Sequence, residues 1–156
     1  DKFVKFTEEL EEKGVTIICQ NLSGGQGRMQ AEFLAAEEPT MWIVTPWTFE
    51  GLELPPESVD RLIIDSMPFD HPSHSVLSRR AEHYKDPFND YSLPRLEHRL
   101  FRLIRSFCRF KKGEGEVLVL DKRLHEKRYG KRLLKYIDSL ASEEDESNES
   151  DQMKLL

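Results

Sequence analysis

Four short apolar runs, with helical patterns between the first two and between the last two, constrain the fold of this chain more than any other feature. They are Val15 to Cys19, Met41 to Thr45, Val59 to Asp65 and Glu116 to Leu120. Strands that are apolar at nearly every position are typical of a sheet buried on both faces, and parallel strands need a crossover that is usually a helix. The alternation therefore predicts an α/β fold, a Rossmann-like three-layer sandwich with a mostly parallel sheet.

The segment Ser92 to Arg109 predicts an amphipathic helix. An arc of about 100° is apolar, and the opposite side of the helix is a stripe of arginines. We expect Ser92 to cap the start of this helix and Pro94 to fit its first turn. A guanidinium binds two phosphate oxygens at once, so the stripe suits a phosphate ligand, and the alternative is a solvated face without a ligand. The stripe consists of Arg95, Arg99, Arg102, Arg105 and Arg109.

The remaining segments divide into helices and loops. Helices are predicted over Lys2 to Lys13, Gln26 to Ala36, Ser73 to Tyr84 and Glu126 to Leu140. Irregular structure is predicted over Gln20 to Gly27, Pro46 to Pro56, Asp86 to Tyr91 and Lys111 to Gly115. The glycine-rich QNLSGGQG lacks the Lys-Ser or Lys-Thr of a P-loop, which favours a plain turn over a phosphate cradle. The loop PWTFEGLELPP follows a strand, where ligands bind in open α/β sheets.

Composition and length indicate one domain with a tail. The chain has 156 residues, and we expect residues 1–140 to form the domain and the acidic residues 141–156 to be disordered. With no run of 18 apolar residues and no visible signal peptide, we expect a soluble, cytoplasmic protein without a membrane partner. Cys19 and Cys108 are interpreted as reduced core thiols. The chain begins without Met inside a helical pattern, which suggests a fragment of a longer protein.

Charge is distributed unevenly along the chain. Residues 79–135 hold 17 Lys and Arg against 8 Asp and Glu, a net of +9, whereas the rest holds 6 against 21, a net of −15. A basic half on an acidic chain favours a polyanion-binding face, and the alternative is mutual attraction of the two halves. His71 and His74 lie near Asp70, but this is a weak constellation of ligands and no metal site is predicted.

Several motifs resemble those of the DinG/XPD-type superfamily 2 DNA helicases. The segment TPWTFEGLELPPESVDRLIIDSMPFDHPS resembles motif V, in which a phrase like F-W-E-G-x-D-x-P precedes a strand and L-P-F. DPFNDYSLP is similar to N-P-F-x-x-Y-x-L-P, and HRLFRLIRS is similar to motif VI, Q-G-x-G-R-x-I-R-S. VLVLDKRLHEKRYG is similar to the closing strand of the family. The resemblance extends over roughly Gln20 to Ile137 in order and spacing.

The resemblance implies the second RecA-like motor domain of an ATP-dependent DNA helicase. Walker A, Walker B and the cysteines of the iron–sulfur cluster lie elsewhere in such proteins, and this chain lacks them. ATP and Mg²⁺ would bind in a cleft shared with an N-terminal motor domain, and Arg102 and Arg105 would face the phosphates. Glu50, Gly51, Glu53 and His98 would lie at the cleft and couple it to DNA. Gln20, Arg28, Thr45 and Trp47 would contact single-stranded DNA.

Motif VI of this chain departs from the family pattern. His98 replaces its Gln, Arg99 its first Gly and Phe101 its second Gly, while Phe49 stands for Trp and Glu53 for Asp in motif V. Glycines at such a cleft let the backbone approach phosphate closely. Two hypotheses follow: a motor domain that supplies arginine fingers, and a degenerate, non-hydrolysing module that binds nucleic acid or protein through its basic half.

Overall fold

The computed structural model describes residues 2–20, 22, 24–71 and 73–139. The chain divides into two compact units, Asp1–Leu54 and Pro55–Leu156. The predicted acidic tail lies outside the described residues, as do two positions of the glycine-rich loop, Asn21 and Ser23.

The described residues of the first unit form two strands and three helices. They are α1 (Lys2–Glu11), β1 (Thr16–Cys19), α2 (Gln26–Leu34), β2 (Thr40–Ile43) and α3 (Pro46–Glu50). β1 and β2 are parallel, with Ile18 opposite Trp42, and α2 forms the crossover between them. Ile18 and Met29 are fully or almost fully buried, and the ring of Phe33 packs 5.5 Å from that of Trp42.

In the second unit, the described residues form the other two strands. Its elements are β3 (Val59–Ile64), α4 (Ser75–Ala81), a π-helical turn (Pro87–Ser92), α5 (Leu93–Phe110), β4 (Lys111–Val119), α6 (Arg123–Glu126) and α7 (residues 130–139). β3 and β4 are parallel, with Leu62 opposite Val117. The buried core consists of Ile64, Met67, Leu93, Leu96, Leu100, Leu124 and Leu133.

The α/β class with parallel strands is confirmed. Within the described residues the four strands pair as two two-stranded parallel sheets, one in each unit. The predicted helix Ser92 to Arg109 is observed as α5, and its apolar arc is the buried face. None of the described helices combines the length and apolar character that crossing a bilayer requires.

Three segments predicted as irregular are ordered. The loop after β2 begins with α3, because Pro46 occupies the first turn and the Thr45 hydroxyl accepts a hydrogen bond from the Thr48 amide. Residues 86–91 mostly belong to the π-helical turn, whose start is capped by the Asp86 carboxylate accepting from the Asn89 amide. That turn runs directly into α5, so Ser92 has helical backbone angles and its side chain makes no capping hydrogen bond, contrary to the prediction.

The predicted turn Lys111 to Gly115 is a bulge inside β4. Val59 lies opposite Lys111, and the next partners are Arg61 and Glu116, so β4 advances five residues while β3 advances two. Gly115 has φ +59° and an added Cβ would lie 2.9 Å from the Phe107 ring, which explains a glycine at this position.

Candidate functional site

The arginines of α5 fall into two groups. Arg102, Arg105 and Arg109 are exposed, whereas Arg99 is 8% exposed and Arg95 is half-buried. The prediction of one continuous surface stripe is therefore wrong at Arg99. On a helical wheel Arg99 lies about 40° from Leu103, which places it closer to the apolar arc than the other arginines. This position in the sequence indicates that Arg99 can be buried.

Arg99 and Arg95 share one carboxylate, Asp70, in a group that we call the Asp70 cluster. An Arg99 Nη2 donates to Asp70 Oδ1 at 2.7 Å, and Arg95 Nε donates to Asp70 Oδ2 at 2.6 Å. Arg99 Nη1 also donates to the carbonyl of Pro68 at 2.5 Å. The hydrogen bond from Arg95, together with that from Arg99, holds the pKa of Asp70 below its usual value despite partial burial.

A second carboxylate fixes the loop that carries Asp70. The Asp121 side chain, 6% exposed, accepts a hydrogen bond from the Met67 amide at 2.8 Å and pairs with the Arg123 guanidinium at 2.5 Å. The hydrogen bond from Arg123 holds the pKa of Asp121 well below its usual range. The loop after β3 is thus attached on one side to the chain after β4 and on the other, through Asp70, to α5.

Three of the sequence-predicted residues share one face of α5. His98, Arg102 and Arg105 are spaced by four and three residues, so they lie on successive turns, and all three are exposed. The Arg105 guanidinium lies over the half-buried Phe101 ring at 5.6 Å from its centroid, a cation–π contact. α5 therefore presents an imidazole and two guanidiniums outward from a helix whose opposite face is buried.

The other predicted residues belong to the first unit. The Gln20 side-chain oxygen accepts from the Thr45 amide at 2.9 Å, so these two lie together at the carboxyl ends of β1 and β2. Trp47, on α3, is 62% exposed, and the exposed Arg28 side chain lies against Gly24.

The motif V residues lie at the end of α3 and just beyond it. Glu50 is the last residue of the helix and is half-buried, whereas Gly51 and Glu53 follow it and are exposed. The Glu53 carbonyl accepts a hydrogen bond from the side chain of Gln30, which ties this segment to α2.

Sequence reasoning missed the Asp70 cluster and misjudged the cysteines. The sequence indicates only a weak metal ligand at Asp70, whereas its oxygens face two arginines and the His71 ring pairs with the Ser73 hydroxyl. Across the described residues no three His, Cys, Asp or Glu side chains gather as a set of metal ligands. Cys19 and Cys108 are half-buried thiols rather than core residues.

Comparisons with known proteins agree with this architecture. A family model described as "Helicase C-terminal domain" matches residues 2–139. The chain is 33% identical over 101 residues to the ATP-dependent DNA helicase DinG of Photobacterium profundum, covering 62% of this chain and 15% of that protein. It is 29% identical over 133 residues to the ATP-dependent DNA helicase YoaA of Haemophilus influenzae, covering 80% of this chain and 20% of that protein.

A third relative is named for a different activity. The chain is 26% identical over 143 residues to the "3'-5' exonuclease DinG" of Bacillus subtilis, covering 86% of this chain and 15% of that protein. The chain thus spans between 15% and 20% of the length of these relatives. Because the family model matches nearly all of the described residues, the chain belongs to the helicase C-terminal domain family, as a C-terminal helicase domain of the DinG type.

Proposed function

We propose that this chain is the second motor domain of an ATP-dependent DNA helicase and that Arg102 and Arg105 act on the phosphates of ATP. The observation that supports the proposal best is the outward pair of guanidiniums on α5, in the positions of the motif VI arginines. ATP and Mg²⁺ would bind mainly to an N-terminal motor domain. The ATP would supply the phosphoryl group that is transferred to water. Guanidiniums near that group stabilise the negative charge that develops on its oxygens.

The burial of α5 gives these arginines a fixed direction. The apolar side of the helix includes Leu96, Leu100 and Leu103, each at most 4% exposed, and the Asp70 cluster ties the same helix to the loop after β3. A charge-stabilising group is most effective when it needs no reorganisation during the reaction. Arg99, which replaces a motif glycine, thus serves as a structural anchor in this proposal.

The remaining cleft residues would link ATP to DNA. His98 lies one turn before Arg102, and we assign Glu50, Gly51 and Glu53 to the coupling segment at the end of α3. Single-stranded DNA would contact Gln20, Arg28, Thr45 and Trp47, where an exposed indole offers a surface for base stacking. The hydrogen bond between Gln20 and Thr45 supports treating these two residues as one site.

The test is DNA-dependent ATP hydrolysis by the full-length parent protein. Arg102→Ala should reduce the stimulated rate by at least about 100-fold, since arginine fingers contribute about 10³ to 10⁵ in rate. Arg109→Ala is the matched control, because Arg109 is also exposed on α5 but lies at its end, where it pairs with Ser106. An unchanged rate in Arg102→Ala, or equal losses in both variants, would contradict the assignment.

A specific observation favours a second candidate, a degenerate module without hydrolysis. Phe101 occupies the place of a motif glycine, and its ring lies against Arg105. A side chain there removes the close backbone approach that glycine permits. Absence of ATP hydrolysis by the wild-type parent, together with intact DNA binding, would establish this alternative.

A further inference from the structure

A groove in the second unit combines cationic and aromatic side chains. It has a volume of about 380 Å³ and is lined by Arg80, His83, Tyr84, Tyr91 and Arg95. Arg80 comes from the last turn of α4, His83 and Tyr84 follow that helix, Tyr91 belongs to the π-helical turn, and Arg95 begins α5. We call it the α4 groove, and it contains none of the residues assigned above to ATP or DNA.

The aromatic wall offers a stacking surface. Tyr84 is 44% exposed, and its ring lies 5.1 Å from that of Tyr91 in a tilted contact. The Arg95 guanidinium lies 5.3 Å from the centroid of the Tyr91 ring. The Tyr91 hydroxyl is buried and has no hydrogen-bond partner among the described residues, although buried polar groups are normally paired.

The charge of the groove favours an anion. Asp70 supplies one negative charge against two positive charges from Arg95 and Arg99, so the Asp70 cluster has a net charge of +1. Arg80 adds another positive charge and makes no ion pair with any described residue. The described residues that line the groove include no acidic side chain. Asp86 and Asp90, on the neighbouring π-helical turn, direct their carboxylates to the Asn89 and Asp86 amides.

We propose that the α4 groove binds one nucleotide unit of a single-stranded nucleic acid, with the base stacked on Tyr84 and the phosphate held by Arg80 and Arg95. A ring beside two guanidiniums matches a planar base next to a phosphate, and base–aromatic stacking does not depend on sequence. Arg95 keeps donors beyond those it directs to Asp70, since a guanidinium has five. The assignment rests on the single-strand binding of the proposed function and deepens it by adding a contact outside the residues named there, and its test needs no ATP chemistry.

The test measures binding of a fluorescent oligothymidine of about 12 nucleotides to the full-length parent by anisotropy, without ATP. Arg80→Gln should weaken binding by about 3- to 10-fold at low salt and reduce the slope of log K against log salt by about 0.7. Arg79→Gln is the matched control, because Arg79 is exposed on the same turn of α4 but does not line the groove. Its effect should stay below about twofold.

Substitutions of Tyr84 test whether a base stacks on its ring. Tyr84→Ala should weaken binding by about 10-fold with an unchanged salt slope, whereas Tyr84→Phe retains the ring and should bind within about twofold of wild type. Circular dichroism of each variant establishes that it is folded. Equal losses in Arg80→Gln and Arg79→Gln, or wild-type affinity in a folded Tyr84→Ala protein, would overturn the proposal.

A competition experiment separates the two sources of the same chemistry. Thymidine monophosphate that displaces the oligonucleotide from wild type at micromolar concentration, and less well from Tyr84→Ala, would identify a free nucleotide as the ligand of the groove. If thymidine monophosphate does not displace the oligonucleotide, and the Arg80 and Tyr84 variants behave as expected, the ligand of the groove is the single strand. Displacement by inorganic phosphate at the same concentration would overturn the stacking assignment. Because ATP is absent, failure of the ATP-site proposal leaves these outcomes unchanged.

Discussion

Removing the charge of Asp70 should destabilise the second unit strongly. In Asp70→Asn the Arg99 guanidinium, with 9% of its side chain exposed, keeps the Pro68 carbonyl but loses its counter-charge. Leaving one charge of a buried pair uncompensated costs about 3–5 kcal/mol. Because the Asp70 side chain is 18% exposed, water reduces this cost, and we expect about 3 kcal/mol, at the lower end of that range.

The assay is urea denaturation of the 156-residue chain followed by far-ultraviolet circular dichroism. Both tryptophans, Trp42 and Trp47, belong to the first unit, so their fluorescence would not report on α5. For a slope of about 2 kcal/mol per molar urea, a loss of about 3 kcal/mol lowers the midpoint by about 1.5 M. The spectrum before denaturation establishes that the variant is folded at the start.

Two further variants make the reasoning specific. Arg95→Met should lower the free energy of unfolding by about 1 kcal/mol or less, because 35% of the Arg95 side chain is exposed and solvent-exposed ion pairs contribute little to stability. The double variant Asp70→Asn/Arg99→Met should be more stable than Asp70→Asn alone, since the uncompensated buried cation is gone. A midpoint shift below about 0.3 M in Asp70→Asn, or a double variant as unstable as Asp70→Asn, would refute the argument.

Three other perturbations test features of the second unit. Because the pKa values of Asp70 and Asp121 lie below those of the unfolded chain, their contribution to stability is present above about pH 4 and is lost as the pH falls towards the folded values. The melting temperature should therefore fall steeply below about pH 4, and less steeply in Asp70→Asn. Gly115→Ala should lower the free energy of unfolding by about 2 kcal/mol, because the backbone at this position is left-handed and the added Cβ would contact Phe107. Gly113→Ala should lower it by about 1 kcal/mol, because Gly113 also has a positive φ, +57°, but has open space around it. Gly130→Ala should prevent normal folding, measured as loss of the cooperative thermal transition, because its Cβ would lie 1.8 Å from the Leu124 carbonyl oxygen.

Local patterns predicted the elements whose sequence and tertiary contacts agree. The apolar runs around Ile18 and Ile64 became parallel strands, and the periodicity of α5 identified its buried face, including Leu100. The pattern also indicated that Arg102 and Arg105 are exposed. The prediction for α5 succeeded because helical periodicity reports on burial directly. The continuous apolar runs identified the strands but not their burial, since Ile63 of β3 is 40% exposed.

Residues whose environment depends on distant parts of the chain were not predictable in the same way. Asp70 and Arg99 are 29 residues apart, and Met67 and Asp121 are 54 apart, so no local pattern reports on either contact. The prolines and the glycine of the segment after β2 favour irregular structure, although Pro46 is also suited to the first turn of a helix. Whether Arg102 and Arg105 act on phosphate is a question of chemistry, and it stays a prediction until the parent protein is assayed.

The pairing of β3 with β4 also determines when the second unit can fold during synthesis. Leu62 and Val117 are partners separated by 55 positions, and β3 has no described partner within the intervening chain. At about 5–20 residues per second, a ribosome needs several seconds to deliver the second strand after the first. Since α5 ends at Phe110 and β4 begins at Lys111, the whole of α5, a local structure, is synthesised before the sheet can be completed, and its apolar face is available to chaperones until β4 follows. A nascent chain arrested before β4 should therefore be degraded readily, although it already contains both arginines proposed to contact ATP.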